Sequence, residues 1–334
     1  MSGVHRWKDI KRKQCDKMAV AVLGGAGFIG SNLVDKLLAQ GFEVTVLDNF
    51  SEGKRENLVK HPNLEIVNGD IRDYNIVRRV VDHKDWVFHL AAMSRIQPSI
   101  TDPLLAFEQN ITGTANVLEA CRDAGVKRVV YSASSSAYGK INEPPLMEEY
   151  ETDCLNPYSL SKKVGEELMK LYNDLYGLST VSLRYFNVYG PKHQEEGDYA
   201  TVIAIFMRQL RHGKPLTVVG NGEQRRDFTF VTDVVEANIL AGMNRDVTGV
   251  INIGTGVNHS INEVAYLCAR VKHGDTVGDV DLKYLPPRLG EAQITLAAVE
   301  KAKNLLGWQP TISLEEGLAI THEFQKRTAI IVGV

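Results

Sequence analysis

Cysteine is scarce in this chain. Its four residues, Cys15, Cys121, Cys154 and Cys268, are scattered through 334 positions. They match no metal-ligand spacing, and their density is far below that of a disulfide-built secreted scaffold. Free thiols in a reducing, cytoplasmic setting and no bound metal are therefore expected. Charge of one sign is also missing. The 38 Lys and Arg residues stand against 41 Asp and Glu, a formal net charge of -3, which argues against a basic nucleic-acid binder. There is no long hydrophobic run. The longest, Ala19 to Gly30, has twelve residues, four of them glycine, too few to cross a bilayer. Glycine, at 28 residues, is too sparse for a collagen-like or low-complexity chain. The opening segment carries Arg6, Lys8, Lys11, Arg12, Lys13 and Lys17 but no signal-peptide cleavage site. Residues 1–17 read as a polar extension outside the fold.

What is present is an alternation of strand and helix patterns. Short apolar runs at 18–24, 42–48, 64–67, 86–90, 127–132 and 180–184 read as strands. Between them, residues 29–40, 101–123 and 156–176 carry helical spacing. Such alternation implies parallel strands joined by crossovers, an α/β Rossmann-type sheet flanked by helices. After Gly190-Pro191 the pattern changes. Helices are expected near 199–212, 260–272, 296–306 and 313–325, a strand and then a helix within 228–243, and strands at 216–219, 249–253 and 280–284. The chain thus divides into a Rossmann domain over 18–187, with returning segments near 228–256, and a smaller α/β substrate domain over 188–325. An apolar tail fills 326–334.

The first strand runs into Gly24-Gly25-Ala26-Gly27-Phe28-Ile29-Gly30. Glycines there let the chain turn tightly, approach a pyrophosphate and pack helix on strand. The helix that follows aims its free amide donors at the phosphates. Asp48 ends the next strand, 18 residues beyond Gly30, where a carboxylate accepts both ribose hydroxyls. A 2′-phosphate would meet that charge unfavourably, so NAD is expected over NADP, with Arg55 leaving some NADP tolerance. Asp70 follows the third strand and suits an adenine amino group or a simple loop role. His89 ends the fourth strand and reads as a packed core residue. Ala91-Ala92 beside it lets backbone run close to a cofactor.

Tyr158 and Lys162 stand four apart on a helical pattern and so share one face. A phenol has a pKa near 10 and is a poor base at neutral pH, but a neighbouring ammonium favours its ionised form. The fifth strand exits through Ser132 to Gly139 toward the same sheet edge as the glycine loop, and Ser134, Ser135 and Ser136 are candidates to bind a sugar hydroxyl.

With these motifs in place, the sequence resembles the extended short-chain dehydrogenase/reductase family, in its nucleotide-sugar epimerase and dehydratase branch. The likeness covers about residues 19–322. It rests on the glycine loop, Asp48-Asn49, Asp70-Ile71, His89 to Ala92, Asn110 with Gly113 to Asn116, Ser134 to Gly139 and Tyr158 with Lys162. It continues through Arg184 to Pro191, Gly220 to Phe228, Asn252 to Gly256, Arg288 to Glu291 and Leu305 to Pro310. The resemblance implies that Tyr158 removes a sugar C4 hydroxyl proton, that Lys162 holds the nicotinamide ribose, and that Ser134 binds the reacting hydroxyl. It implies NAD contacts from Gly24, Gly27, Phe28, Ile29, Gly30, Asp48, Asn49, Asp70, Ile71, Leu90, Ala91 and Ala92 as well. Ser135, Ser136 and Asn187 would bind the sugar or diphosphate, Arg226 and Arg288 would grip the diphosphate, and a small residue at Thr295 would leave room for an acetamido group. A homodimer through the helices at 101–123 and 156–176 is a further implication, as is a soluble enzyme with no membrane or nucleic-acid partner.

The branch follows by elimination within that family. Dehydratase relatives carry an Asp-Glu pair where this chain has Ser135 and Ser136. Decarboxylase relatives place glutamate at the Ser136 position, and 3,5-epimerase/reductases need a nearby cysteine. What remains is inversion at C4, expected on a UDP-hexose and extending to the N-acetylated pair. UDP-glucuronate 4-epimerisation, CDP-sugar 2-epimerisation and a net reductase stay as alternatives.

Overall fold

The computed structural model describes residues 18–332 apart from 196, 198–199, 275–277, 279, 288–289 and 291. Its main sheet has seven parallel strands. They are β1 (Ala19–Leu23), β2 (Glu43–Asp48), β3 (Leu64–Asn68), β4 (Trp86–His89), β5 (Arg128–Ser134), β6 (Thr180–Tyr185) and β11 (Gly249–Ile253). Across the sheet they run in the order β3-β2-β1-β4-β5-β6-β11. The chain winds outward from β1 to β3, then returns to the other side of β1 through β4. That reversal opens a crevice at the carboxyl ends of β1 and β4, the place where open α/β sheets bind ligands.

Side-chain alternation along β1 explains the layers. Val20 and Val22 face one core, against Leu33, Val34 and Leu37 of α1 (Phe28–Ala39) and Val234 and Val235 of α8 (Val231–Met243). Ala21 and Leu23 face the other, against Val77 of α2 (Tyr74–Val81), Leu118 and Cys121 of α5 (Gly113–Asp123) and Met169 of α6 (Pro157–Tyr176). A strand covered on both faces is continuously apolar, as β1 is. A third core joins Phe206 and Met207 of α7 (Val202–Arg211), Val264 and Cys268 of α9 (Ile261–His273) and Leu318 of α11 (Leu314–Val332). Three short two-stranded pairs complete the second half: β7 (Val188–Tyr189) with β10 (Thr229–Phe230), β8 (Leu216–Val219) with β13 (Leu282–Leu285), and β9 (Arg225–Asp227) with β12 (Asn258–Ser260).

Three expected helices differ. The 101–123 pattern is broken into α3 (Ile96–Thr101), α4 (Pro103–Phe107), a wide turn over Glu108–Thr112 and α5. Pro103 forbids continuation from α3, and Asp102 caps the new start by accepting from the Leu105 amide at 3.1 Å. The helix expected from 296 starts at Glu300, as α10 (Glu300–Leu306), because Ala297 is held in a bridge to Leu146 and donates its amide to Asp227. The last helix does not stop at 325 but continues to Val332, through the segment expected as a tail. Helix α2 has no counterpart among the expected elements; Asp73 caps it by accepting from the Asn75 and Ile76 amides. The extension 1–17 and the last two residues lie outside the described residues.

Candidate active site

A cleft of about 1130 Å³ opens at the crevice. Its inner end is built by the turn from β1 into α1. Gly24 has φ of 79°, and a Cβ there would stand 2.6 Å from the Ala91 nitrogen. A Cβ on Gly30 would stand 2.2 Å from the Gly24 carbonyl oxygen. The close packing of the turn on its own backbone thus requires glycine at both positions and keeps the cradle free of side chains there. No side chain caps the amino end of α1 at Gly27, so its first amides remain available to an anion.

Asp48 ends β2 beside this turn. Its Oδ2 accepts from the Ala26 amide at 2.9 Å and its Oδ1 from the Phe50 amide at 2.8 Å. Burial raises its pKa against those two hydrogen bonds. Asn49, Asp70, Ile71, Leu90, Ala91, Ala92, Phe28 and Ile29 line the same cleft. Asp70 is gripped by Arg72 through Nε at 3.0 Å and Nη2 at 2.8 Å and by Asn49 Nδ2 at 2.9 Å. The hydrogen bond from the Arg72 side chain is the main reason its pKa falls to about 2. The glycine cradle, the uncapped helix and the carboxylate after β2 fit the pyrophosphate and adenosine ribose of NAD.

At the other end stands α6. Asn156 and Ser159 cap it reciprocally, Pro157 occupies its first position, and Tyr158 follows in the first turn. The Tyr158 amide, too early in the helix for an intrahelical acceptor, donates to Ser99 Oγ at 3.0 Å instead. One turn on, Lys162 is 4% exposed and donates from Nζ to the Ser132 carbonyl at 2.7 Å. Burial lowers the Lys162 pKa to about 8. Burial also raises the Tyr158 pKa, while the Ser134 hydroxyl and the charge of Arg95 pull it down. Ser134 itself accepts from the Ser136 amide at 3.2 Å and the Ser136 hydroxyl at 2.9 Å. Ser136 therefore orients Ser134 as well as lining the cleft, and Ser135 lines it beside them.

On the outer wall Asn187, Arg226 and Thr295 come together from distant parts of the chain. Asn187 takes the left-handed φ of 27° and donates from Nδ2 to the Asp227 carbonyl at 2.9 Å and to Thr295 Oγ1 at 3.4 Å. Arg226 donates from Nη1 to the Gln293 carbonyl at 2.9 Å. Arg288 lies outside the described residues. His89 is buried as expected, with Nε2 2.9 Å from Thr114 Oγ1 and a pKa lowered by burial to about 3.

Glu52, Lys192 and His193 line the cleft without having been singled out from the sequence, and Ser94 and Arg95, in the loop after Ala92, line it with them. Lys192 ties the wall to the nucleotide end by reaching Asp35 on α1 and the Asn57 carbonyl at 2.8 Å. Its place directly after the Gly190-Pro191 corner was the available signal. Behind the serine turn, Arg184 makes a two-pronged bond to Glu166, 2.7 Å on each arm, and stacks on Tyr138. This buried pair joins β6 to α6 and so steadies the helix that carries Tyr158 and Lys162. Among the described residues no cluster suits a metal ion, and no helix is long and apolar enough to cross a membrane.

Known proteins resemble this chain in sequence and fold. The chain is 38% identical over 312 residues to the UDP-glucose 4-epimerase of Mycolicibacterium smegmatis, covering 92% of this chain and 98% of that one. The solved UDP-N-acetylglucosamine 4-epimerase of Methanobrevibacter ruminantium M1, in complex with UDP-N-acetylmuramic acid, superposes with a TM-score of 0.88 at 35% identity. It covers 94% of this chain and 99% of its own. The UDP-glucose 4-epimerase of Thermus thermophilus, in complex with NAD, gives a TM-score of 0.84 at 36% identity, covering 92% and 99%. Residues 20–254 match the NAD dependent epimerase/dehydratase family, from the first strand through the last strand of the sheet. With that match over most of its length, the chain belongs to the NAD dependent epimerase/dehydratase family, in the epimerase branch of the extended short-chain dehydrogenases/reductases, and NAD is its cofactor.

Proposed function

We propose that this NAD-dependent epimerase inverts C4 of a UDP-hexose, interconverting UDP-glucose and UDP-galactose and accepting the N-acetylated pair. The observation that carries the reading is the convergence of Tyr158, Ser134 and Lys162 on one end of a cleft whose other end is the glycine cradle and Asp48. NAD, when bound, supplies reversible carbon–hydrogen redox chemistry at the sugar carbon. Tyr158 takes the C4 hydroxyl proton and later returns it. Ser134, oriented by Ser136, holds the reacting oxygen by donating its hydroxyl proton. Lys162 is fixed by the Ser132 carbonyl and, while protonated, favours the phenolate. Inversion requires the 4-keto sugar to present its other face. The wall offers small side chains for that turn, Ser134, Ser135 and Thr295.

The serines at 135 and 136 separate inversion from elimination. Neither supplies an acid or base for loss of water. Asn187 and Arg226 on the outer wall suit the diphosphate, with Arg226 supplying a guanidinium charge. The relatives from Mycolicibacterium smegmatis and Thermus thermophilus are named UDP-glucose 4-epimerases, and that from Methanobrevibacter ruminantium a UDP-N-acetylglucosamine 4-epimerase. A second reading, a hexose bearing a carboxylate such as UDP-glucuronate, is favoured by Arg95, whose charge reaches Tyr158.

A homodimer in a reducing cytoplasm completes the reading. Leu104 on α4 and Leu160, Leu171, Leu175 and Tyr176 on α6 are exposed apolar side chains on the elements proposed to pair. Cys121, Cys154 and Cys268 are free thiols.

Incubation with UDP-glucose, UDP-N-acetylglucosamine, UDP-glucuronate, CDP-glucose and GDP-mannose, read by proton NMR, tests the proposal. New galacto-configured signals at constant total UDP-hexose are expected. Loss of water or carbon dioxide, or inversion at another carbon, would overturn it.

A further inference from the structure

Glu52 and Ser94 come from opposite sides of β1. Glu52 follows β2 and Ser94 follows β4, and β1 lies between those strands in the sheet. The Ser94 hydroxyl nevertheless donates to Glu52 Oε2 at 2.9 Å. The bond therefore spans the end of β1, where the glycine cradle sits.

Both supports of this span are fastened to the cradle. On the β2 side, the Lys54 amide donates to the Ala26 carbonyl at 3.1 Å, and Asn57 Nδ2 donates to the same oxygen at 2.9 Å. A Cβ on Gly53 would stand 2.9 Å from Ala26, so the chain beside Glu52 rests directly on the glycine turn. On the β4 side, Gly24 abuts Ala91. Met93 is held by the Asn110 side-chain amide, which accepts from the Met93 amide at 2.7 Å and donates to its carbonyl at 3.1 Å. Glu52 and Ser94 both line the cleft together with Gly24 and Gly27. A dinucleotide running from Asp48 beyond β1 to Tyr158 and Lys162 lies along this same stretch.

We propose that Glu52 and Ser94 form a clasp over the cofactor pyrophosphate, which holds NAD in the protein between turnovers. The proposal rests on NAD occupying the cleft in the direction set by Asp48 and Lys162. Its chemical logic concerns the acceptor atom rather than the charge. A carboxylate near phosphates is repelled by them, and the cationic Arg95, the residue after Ser94, lines the same cleft. What the clasp contributes is a bond that must open before the dinucleotide leaves. A reaction without net redox change needs no cofactor exchange, so a slow exit costs the enzyme nothing.

Holoenzyme loaded with isotopically labelled NAD and chased with excess unlabelled NAD reads the exit rate by retained label. Ser94→Ala and Glu52→Ala are each expected to release NAD about tenfold faster, equivalent to about 1.4 kcal/mol. The double variant is expected to be no faster than either single one, because both remove the same bond. Glu52→Gln keeps a side-chain oxygen for Ser94 and is expected to retain NAD as the parent does. Both residues are partly exposed, and a thermal melt of each variant confirms the fold. Retention in Ser94→Ala equal to the parent overturns the clasp. So do multiplicative effects in the double variant, or a Glu52→Gln that releases NAD like Glu52→Ala. The assay contains no sugar, so its outcome is independent of which hexose is inverted, and an inactive enzyme with parent-like clasp behaviour would count against the UDP-hexose reading alone.

Discussion

The Lys162 ammonium and the Ser132 carbonyl are 2.7 Å apart, which ties the active-site helix to the strand two residues before Ser134. The bond fixes the spacing between the residue proposed to move the proton, Tyr158, and the residue proposed to hold the reacting oxygen. It also leaves the ammonium buried with a pKa lowered to about 8, within reach of ordinary assay conditions.

Tyr158→Phe removes the proton-transfer group and leaves the helix intact. Turnover is expected to fall by about 10²–10⁴-fold, the usual contribution of a positioned acid–base group. NAD content per chain should stay at the parent value. A parent-like kcat on the identified sugar nucleotide would remove Tyr158 from the mechanism.

Lys162 gives a stability prediction whose sign follows from linkage. Burial lowers its folded pKa from 10.5 to about 8, so between those values the unfolded chain binds the proton and the folded chain does not. Stability therefore rises with pH across that window, and the penalty of burying the charge is present in full below pH 8. Lys162→Met should abolish this contribution, up to about 3 kcal/mol between the two limits. Urea unfolding of NAD-free parent and variant at several pH values gives the difference. Curves that stay parallel from pH 8 to 10.5 would show that the lysine is not depressed.

Asp48→Ala should weaken NAD binding and shift the NAD/NADP preference toward NADP. The carboxylate lines the cleft, where it is proposed to meet the ribose, and also anchors the Ala26 amide, so the loop loosens as its charge is removed. Asp48→Asn removes the charge while its one remaining oxygen can still accept from either the Ala26 or the Phe50 amide, so it disturbs the loop less than Asp48→Ala. Isothermal titration of both cofactors into stripped protein checks the ratio. An unchanged ratio in both variants would place Asp48 away from the ribose.

The parts of the fold legible in the sequence were those governed by local pattern. The apolar strands, the glycine turn and the four-residue spacing of Tyr158 and Lys162 each depend on neighbours within a few residues. Helix ends set by remote partners were not legible. Residues 296–299 carry helical composition, yet Asp227 holds Ala297 from 70 positions away and Leu146 pairs with it. The same reason hid the bond between Ser94 and Glu52, which reaches across 42 positions. The role of Ser136 was visible only as a member of a serine cluster; its bond to Ser134 depends on the short turn over Ser135–Tyr138.

Thr295 is the residue expected to decide between plain and acetylated hexoses. It is 8% exposed, lines the cleft, and accepts from Asn187 Nδ2 at 3.4 Å. Its backbone is pinned as well, since its amide donates to the Arg225 carbonyl at 3.0 Å. A larger side chain there cannot retreat with the backbone and must project into the cleft or displace Asn187. Thr295→Tyr therefore fills space that a 2-acetamido group would need, at an overpacking cost of about 1–3 kcal/mol. The expected result is a much larger loss of kcat/KM for UDP-N-acetylglucosamine than for UDP-glucose. Thr295→Ser serves as the control: it keeps the hydroxyl that Asn187 meets and adds no bulk, so both substrates should be turned over as by the parent. Parallel kinetics on the two sugars decide the matter. Equal losses on both would show that the tyrosine acts by displacing Asn187 from the shared diphosphate side. No turnover of the acetylated sugar by the parent would show that the space beside Thr295 is closed by another part of the wall.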